Sequence, residues 1–101
     1  MAVLFHSLDG MDWIGHTKWL SSNHECDWYG ITCDDDFRIV KIELAHNRLS
    51  GTIPAEIAEF MDLQMLNLSR NPYVMGTIPW EVFELEYLDV DVSGTSVDLV
   101  V

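Results

Sequence analysis

Two stretches of this 101-residue chain are near-copies of one another. Ile39, Ile42, Leu44, Asn47, Leu49, Gly51, Ile53 and Pro54 are followed by Leu63, Leu66, Leu68, Asn71, Gly76, Ile78 and Pro79. The offset is 24 residues up to the asparagine and 25 beyond it, so one residue is inserted between Asn71 and Gly76. A weaker third copy, Tyr87, Val90, Val92, Thr95 and Val97, keeps the 24-residue spacing if one residue is deleted between Pro79 and Tyr87. A rival register starts that copy at Leu85, with Leu88 and Val90 as its apolar positions. The first register is preferred because it sets an apolar residue at the Leu49 position and a hydrogen-bonding Thr95 at the asparagine position. The tetrapeptide Gly-Thr-Ile-Pro occurs twice, at 51–54 and 76–79, which removes chance periodicity as an explanation.

Each copy has a definite physical reading. Ile42 and Leu44 alternate to one side of a short strand, while Lys41, Glu43 and Ala45 point to the other. Asn47 and Asn71 turn inward, where an amide offers two donors and an acceptor to backbone groups that the strand leaves unpaired as it bends away. Ile53, Pro54, Ile57 and Phe60, and again Ile78, Pro79, Val82 and Leu85, suit a short 3₁₀ or helical turn. Each unit hides its apolar face only against its neighbours. The expected architecture is therefore an α/β solenoid with parallel strands on its concave side.

The strings NRLSGTIPAEI and LNLSRNPYVMGTIPWEV resemble the plant-type leucine-rich repeat, whose signature includes L-x-G-x-I-P. The stretch from Trp19 to Asp34, WLSSNHECDWYGITCD, resembles the N-terminal cap of the same family, in which two cysteines flank a tryptophan and a glycine. The resemblance implies a Cys26–Cys33 bond and a strand over Ile31 to Cys33 beside the first repeat. It also implies kinship with receptor-like kinase ectodomains and secreted polygalacturonase-inhibiting proteins.

Residues 1–38 have a composition suited to capping the stack. Val3, Leu4 and Leu8 fit one face of a short helix that stops near Gly10, and Trp13, Trp19, Trp28 and Tyr29 supply apolar area without regular periodicity. The domain division expected is a cap over 1–38, then units over 39–62, 63–86 and 87–101. Taken alone, the C-x₆-C spacing of Cys26 and Cys33 favours a disulfide over a metal site with His24 or two buried thiols. Closing that loop is worth roughly 2.5 kcal/mol on the chain-entropy model. A disulfide implies an oxidising, extracellular or cell-surface compartment. These residues carry no secretory leader, so the expected start lies downstream of one or within a longer chain.

Five Lys and Arg against 17 Asp and Glu give a net charge of −12, which repels phosphate backbones and anionic lipid. Nucleic acid and membrane partners are not expected. No nucleophile motif, phosphate loop or metal-ligand spacing is present, so neither an enzyme nor a cofactor is expected. Asp34, Asp35 and Asp36 lack the further oxygens of a calcium loop and read as a solvated turn. Asn67-Leu68-Ser69 is the only N-x-[ST] sequon, which makes Asn67 a glycosylation candidate.

What remains is a surface. Lys41, Glu43, His46, Asn67, Ser69, Arg70, Asp89 and Asp91 are the outward positions of the strands and their ends, with both aspartates expected near Arg70. A non-catalytic recognition module for a protein, peptide or cell-wall glycan follows. A second reading is a structural cap of a longer array with no ligand contacts of its own. Val97, Leu99, Val100 and Val101 form an apolar end that invites self-association or a continuing chain.

Overall fold

The computed structural model describes residues 2–22 and 24–98. Its elements run α1 (Ala2–Ser7), β1 (Ile31–Cys33), β2 (Ile39–Glu43), β3 (Ser50–Thr52), β4 (Met65–Asn67), β5 (Tyr73–Thr77), β6 (Asp89–Asp91) and β7 (Ser96–Asp98). Short 3₁₀ turns lie at Gly10–Asp12, Glu25–Asp27, Ala55–Glu59 and Trp80–Glu84.

Two sheets organise these elements. The first has the order β1-β2-β4-β6, with β1 antiparallel to β2 and the rest parallel. Its register sets Lys41 against Met65 and Asp89, Ile42 against Leu66 and Val90, and Glu43 against Asn67 and Asp91. Period-two alternation puts the middle row inward: Ile42 and Leu66 are buried, and Val90 is half-buried against the same core. Val90 opposite Leu66 selects the first of the two registers for the third copy from β6 onward.

Tyr87 departs from that register. It is 78% exposed, whereas Leu63, its counterpart by spacing, is 2% exposed. The backbone explains this: the Leu88 N–H donates to the Leu85 carbonyl just as the Leu63 N–H donates to that of Phe60. Leu88 thus takes the Leu63 position, and the one-residue deletion falls between Leu88 and Asp89 rather than before Tyr87.

The second sheet, β3-β5-β7, is entirely parallel, and the sequence pattern did not announce it. The two Gly-Thr-Ile-Pro copies do not face one another there. Gly51 pairs with Val74, and Gly76 pairs with Val97. The slip from Gly76 to Val74 is two residues, which keeps every side chain on its own face.

Between the sheets lies a polar ladder. Asn71 is fully buried; its Oδ1 accepts from the Asn47 and Leu49 N–H groups at 2.8 and 3.1 Å. Its Nδ2 donates to the carbonyls of Leu44, Leu68 and Ser69 at 2.9, 2.9 and 3.0 Å. Asn47 repeats the role one layer earlier, accepting from the Gly15 N–H and donating to the Gly15 carbonyl. Thr95 is a reduced version, with Oγ1 accepting from the Val97 N–H and donating to the Val92 carbonyl.

The N-terminal segment covers one end of both sheets. Leu4, Phe5 and Leu8 are buried, while Val3 is exposed, so Phe5 replaces Val3 in the apolar face read from the sequence. The Leu4 N–H, left unpaired by so short a helix, donates to Glu56 Oε1 at 3.0 Å. Gly51 has φ +115°, and a Cβ there would lie 2.3 Å from the Ser7 carbonyl, so only glycine lets α1 seat on β3. Phe5, Trp13, Trp19 and Trp28 form a chain of ring contacts with centroids 4.8–5.2 Å apart between successive members. The indole N–H groups of Trp13 and Trp19 donate to the Leu8 and Tyr29 carbonyls, both at 2.8 Å. Tyr29 is 45% exposed and lies over Gly15 rather than inside this cluster. Leu99, Val100 and Val101 fall outside the described residues, and Val97 is half-buried against the core.

Candidate functional site

The outward rows of the first sheet are Lys41, Met65 and Asp89, then Glu43, Asn67 and Asp91. Thr32 on β1 extends the first row beside Lys41. Beyond the strands the backbone turns sharply at His46, Arg70 and Gly94, all with positive φ and spaced by 24 residues. At Gly94 an added Cβ would press on the Arg70 backbone at 3.2 Å, which favours glycine in this last turn. The turns are bonded in series, since the His46 N–H donates to the Ser69 carbonyl and the Arg70 N–H to that of Ser93.

Of the eight surface residues read from the sequence, Lys41, Glu43, His46, Arg70, Asp89 and Asp91 are exposed and Asn67 is half-buried. Ser69 is the exception, being 8% exposed. Its N–H and hydroxyl both donate to Asn67 Oδ1, at 3.0 and 2.7 Å, so it orients Asn67 instead of meeting solvent. Ser93 and Asp91 repeat the arrangement at 3.0 and 2.8 Å. Those two donors, the Ser93 N–H first, hold the Asp91 carboxyl below its ordinary range against a small opposing effect of burial. Asn67-x-Ser69 and Asp91-x-Ser93, 24 residues apart, were a readable signal that sequence reasoning missed.

Arg70 does not pair with either aspartate. Among the described residues the ion pairs converge instead on Arg38, whose guanidinium meets Asp34 and Asp36 at 3.0 Å each and Asp62 at 3.8 Å. Asp34 also accepts from the Arg38 and Asp36 N–H groups at 3.0 and 2.9 Å. The Arg38 N–H lowers the Asp34 carboxyl most; partial burial opposes it, and the Asp36 N–H and the guanidinium charge add to the lowering. The same pairing, Asp34 first, raises Arg38 above its ordinary value. The acidic run is therefore a hairpin turn closed by its own arginine, which engages both oxygens of Asp34 and one of Asp36.

Cys26 and Cys33 are bonded, with Cα atoms 5.5 Å apart, which leaves the trio with His24 without a thiolate. His24 Nδ1 instead accepts from the Cys26 N–H at 3.1 Å. Among the described residues no group of three or more His, Cys, Asp or Glu side chains is arranged to hold a metal, and no helix is long and apolar enough to cross a membrane.

Comparison with known proteins bears on the family and the fold. The profile of the Leucine Rich Repeat family matches residues 38–60. Phytosulfokine receptor 1 of Arabidopsis thaliana is 32% identical over a match covering 93% of this chain and 11% of the receptor. The chain belongs to the plant-type leucine-rich-repeat proteins. The polygalacturonase inhibitor of Pyrus communis is 32% identical over 70% of this chain and 22% of its own length. The crystal structure of the BIR2 ectodomain from Arabidopsis thaliana superposes with a TM-score of 0.81 at 29% identity, covering 95% of this chain and 53% of that one. The leucine-rich-repeat chain thus spans only a fraction of each of these relatives.

Proposed function

We propose that the chain is the recognition part of an extracellular plant receptor or secreted inhibitor, binding a protein or peptide on the concave, outward face of its four-stranded sheet without catalysing a reaction. The observation that carries this reading is the pair of ladder rows, which hold Lys41, Glu43, Asp89 and Asp91 on one rigid, regularly spaced surface with Asn67 between them. Rigid presentation of varied side chains is how repeat arrays recognise partners. His46 and Arg70 border the rows, and Ser69 serves by fixing Asn67. The related receptor and inhibitor support a protein or peptide over a neutral glycan, as does the mixed charge of the face. The Cys26–Cys33 bond suits an oxidising, extracellular setting.

In this reading residues 1–38 act as the cap and 39–62, 63–86 and 87–101 as successive units. Among the described residues Lys41, Glu43 and Asp89 make no ion pair, which leaves them available to a partner and favours this reading over a cap with no contacts of its own. Asn67 is also a glycan acceptor, because Ser69 engages its Oδ1 and leaves Nδ2 open; a glycan there would shield the middle of the face. Mass spectrometry of chain secreted from plant cells would show that glycan, and Asn67→Gln would remove it.

The test is amide hydrogen exchange on the intact chain with and without peptides captured from a random display library. Protection over 41–43, 65–67 and 89–91 is expected. Protection confined to the 3₁₀ turns at 55–59 and 80–84 would overturn the assignment.

A further inference from the structure

Tyr87 is exposed, Leu88 having taken the position that Leu63 fills in the preceding repeat. It lines a shallow hollow of about 520 Å³ together with Lys41, Gln64, Met65 and Asp89, on the face described above. Lys41, Met65 and Asp89 are one ladder row on three adjacent strands. Among the described residues neither Lys41 nor Asp89 takes part in an ion pair, the ion pairs there being made by Arg38. The hollow therefore offers a cation at one side, an anion at the other, and a thioether and an aromatic ring between or beside them.

The strand spacing converts this into a length. Adjacent strands lie about 4.8 Å apart, so positions on β2 and β6 are separated by about 9.6 Å. A polyproline II helix rises about 3.1 Å per residue with three residues per turn, returning a side chain to the same side every ~9.3 Å. A β-extended ligand returns one every ~6.6 Å and matches the gap poorly. The backbone of β4 is engaged on both sides by β2 and β6, so a ligand crossing there gains nothing from strand addition. A polyproline II backbone stays solvated, and its proline rings pack on aromatic surfaces.

Resting on the reading of this face as the recognition surface, we infer that the hollow takes a polyproline II segment bearing an acidic and a basic side chain three residues apart. The acidic group meets Lys41 and the basic group meets Asp89, with Asp91 one step along the strand. Proline rings between them lie on Met65 and Tyr87. The strongly acidic chain draws the basic end in from solution.

The experiment selects short random peptides displayed on phage against the intact chain and against two exposed-residue variants whose folding is checked by circular dichroism. The intact chain is expected to enrich peptides with an acid and a base three positions apart and proline between. Asp89→Lys shifts the selected pattern to two acids at that spacing, and Lys41→Glu shifts it to two bases. Either reversal weakens a peptide selected on the intact chain by about tenfold, the scale of exposed charge pairs turned from attraction to repulsion. A seven-residue spacing typical of a helix, a pattern without charges, no captured peptide, or a pattern indifferent to both reversals overturns the inference. Thr32→Arg and Glu43→Arg, on the same face outside the hollow, separate the two levels. If they release the peptides and the reversals do not, the face remains the binding surface and the polyproline assignment falls. If none of the four substitutions releases them, both fall.

Discussion

The two ends of the stack are built differently from similar rows of residues. At the first end, β1 closes one sheet, the end of α1 seats on the edge of the other, and a chain of tryptophans fills the space behind them. At the other end β6 and β7 are the edge strands among the described residues. The rows Ile42, Leu66, Val90 and Leu44, Leu68, Val92 are fully buried in their first two members and half-buried in the third. Asn47 and Asn71 give way to Thr95 in the same progression. Burial in this fold is thus supplied by the neighbouring layer, and identical spacing does not guarantee identical stabilisation. The edge strands carry Asp89, Asp91 and Asp98, and such charges oppose pairing of one edge with another.

The sharpest break of the comparison comes at the asparagine positions. Asn71→Ala strands the Leu44 and Leu68 carbonyls and two N–H groups inside the core, the Ser69 carbonyl keeping the His46 N–H, and is expected to cost about 4 kcal/mol, from penalties of about 1–3 kcal/mol per unsatisfied buried group partly relieved by relaxation. Thr95→Ala, at the open end, should cost about 1 kcal/mol or less on the same scale. Urea unfolding monitored by tryptophan fluorescence measures both. Equal losses would mean that the two layers are equally buried.

Leu66→Ala and Val90→Ala extend the test to apolar packing. The first should cost about 3 kcal/mol and the second about 1 kcal/mol, since a half-buried valine leaves a smaller void. Replacing both Cys26 and Cys33 by serine removes the staple of the covered end and should cost about 2.5 kcal/mol by loop entropy. That loss should leave the difference between Leu66→Ala and Val90→Ala unchanged.

The smallest effect is acid sensitivity. Asp34 near the covered end and Asp91 at the open end both have carboxyls below their ordinary value of 3.8. Their stabilisation is complete above that value and is lost as pH falls through the lowered native values. Asp9 has the opposite sign. Its hydrogen bond with Asp12 raises it, so its contribution is present at low pH and fades as pH rises through the raised value. Asp34→Asn and Asp91→Asn should each flatten the loss of stability below pH 3.8, and Asp9→Asn should not.

Residues that recur identically at a fixed offset carried most of the architecture into view: Asn47 and Asn71, the two Gly-Thr-Ile-Pro copies, and the alternating apolar positions between them. The cysteine pair and its flanking tryptophans became legible through family resemblance. The second sheet was hidden because Ser50, Gly51 and Thr52 have no strand signature, and their pairing slips by two residues from the sequence alignment. Tyr87 was misassigned because Tyr87 and Leu88 are both apolar enough for the buried position, and only backbone hydrogen bonding decides between them. Ser69 was placed outward by strand alternation, but β4 ends at Asn67 and alternation ends with it. The outward rows were legible from period two alone, whereas the pairing of their charges was not. Arg38 took the ion pairs because turn geometry brings it to Asp34, and Arg70 stayed apart.

Exchange of the asparagine side-chain amide protons with water, followed by NMR, tests the stacking on which the sheet face depends. Asn71 Nδ2, bonded to three carbonyls, should exchange more slowly than Asn67 Nδ2 by orders of magnitude. Exchange of Asn71 at the rate of an exposed amide would contradict the layered account.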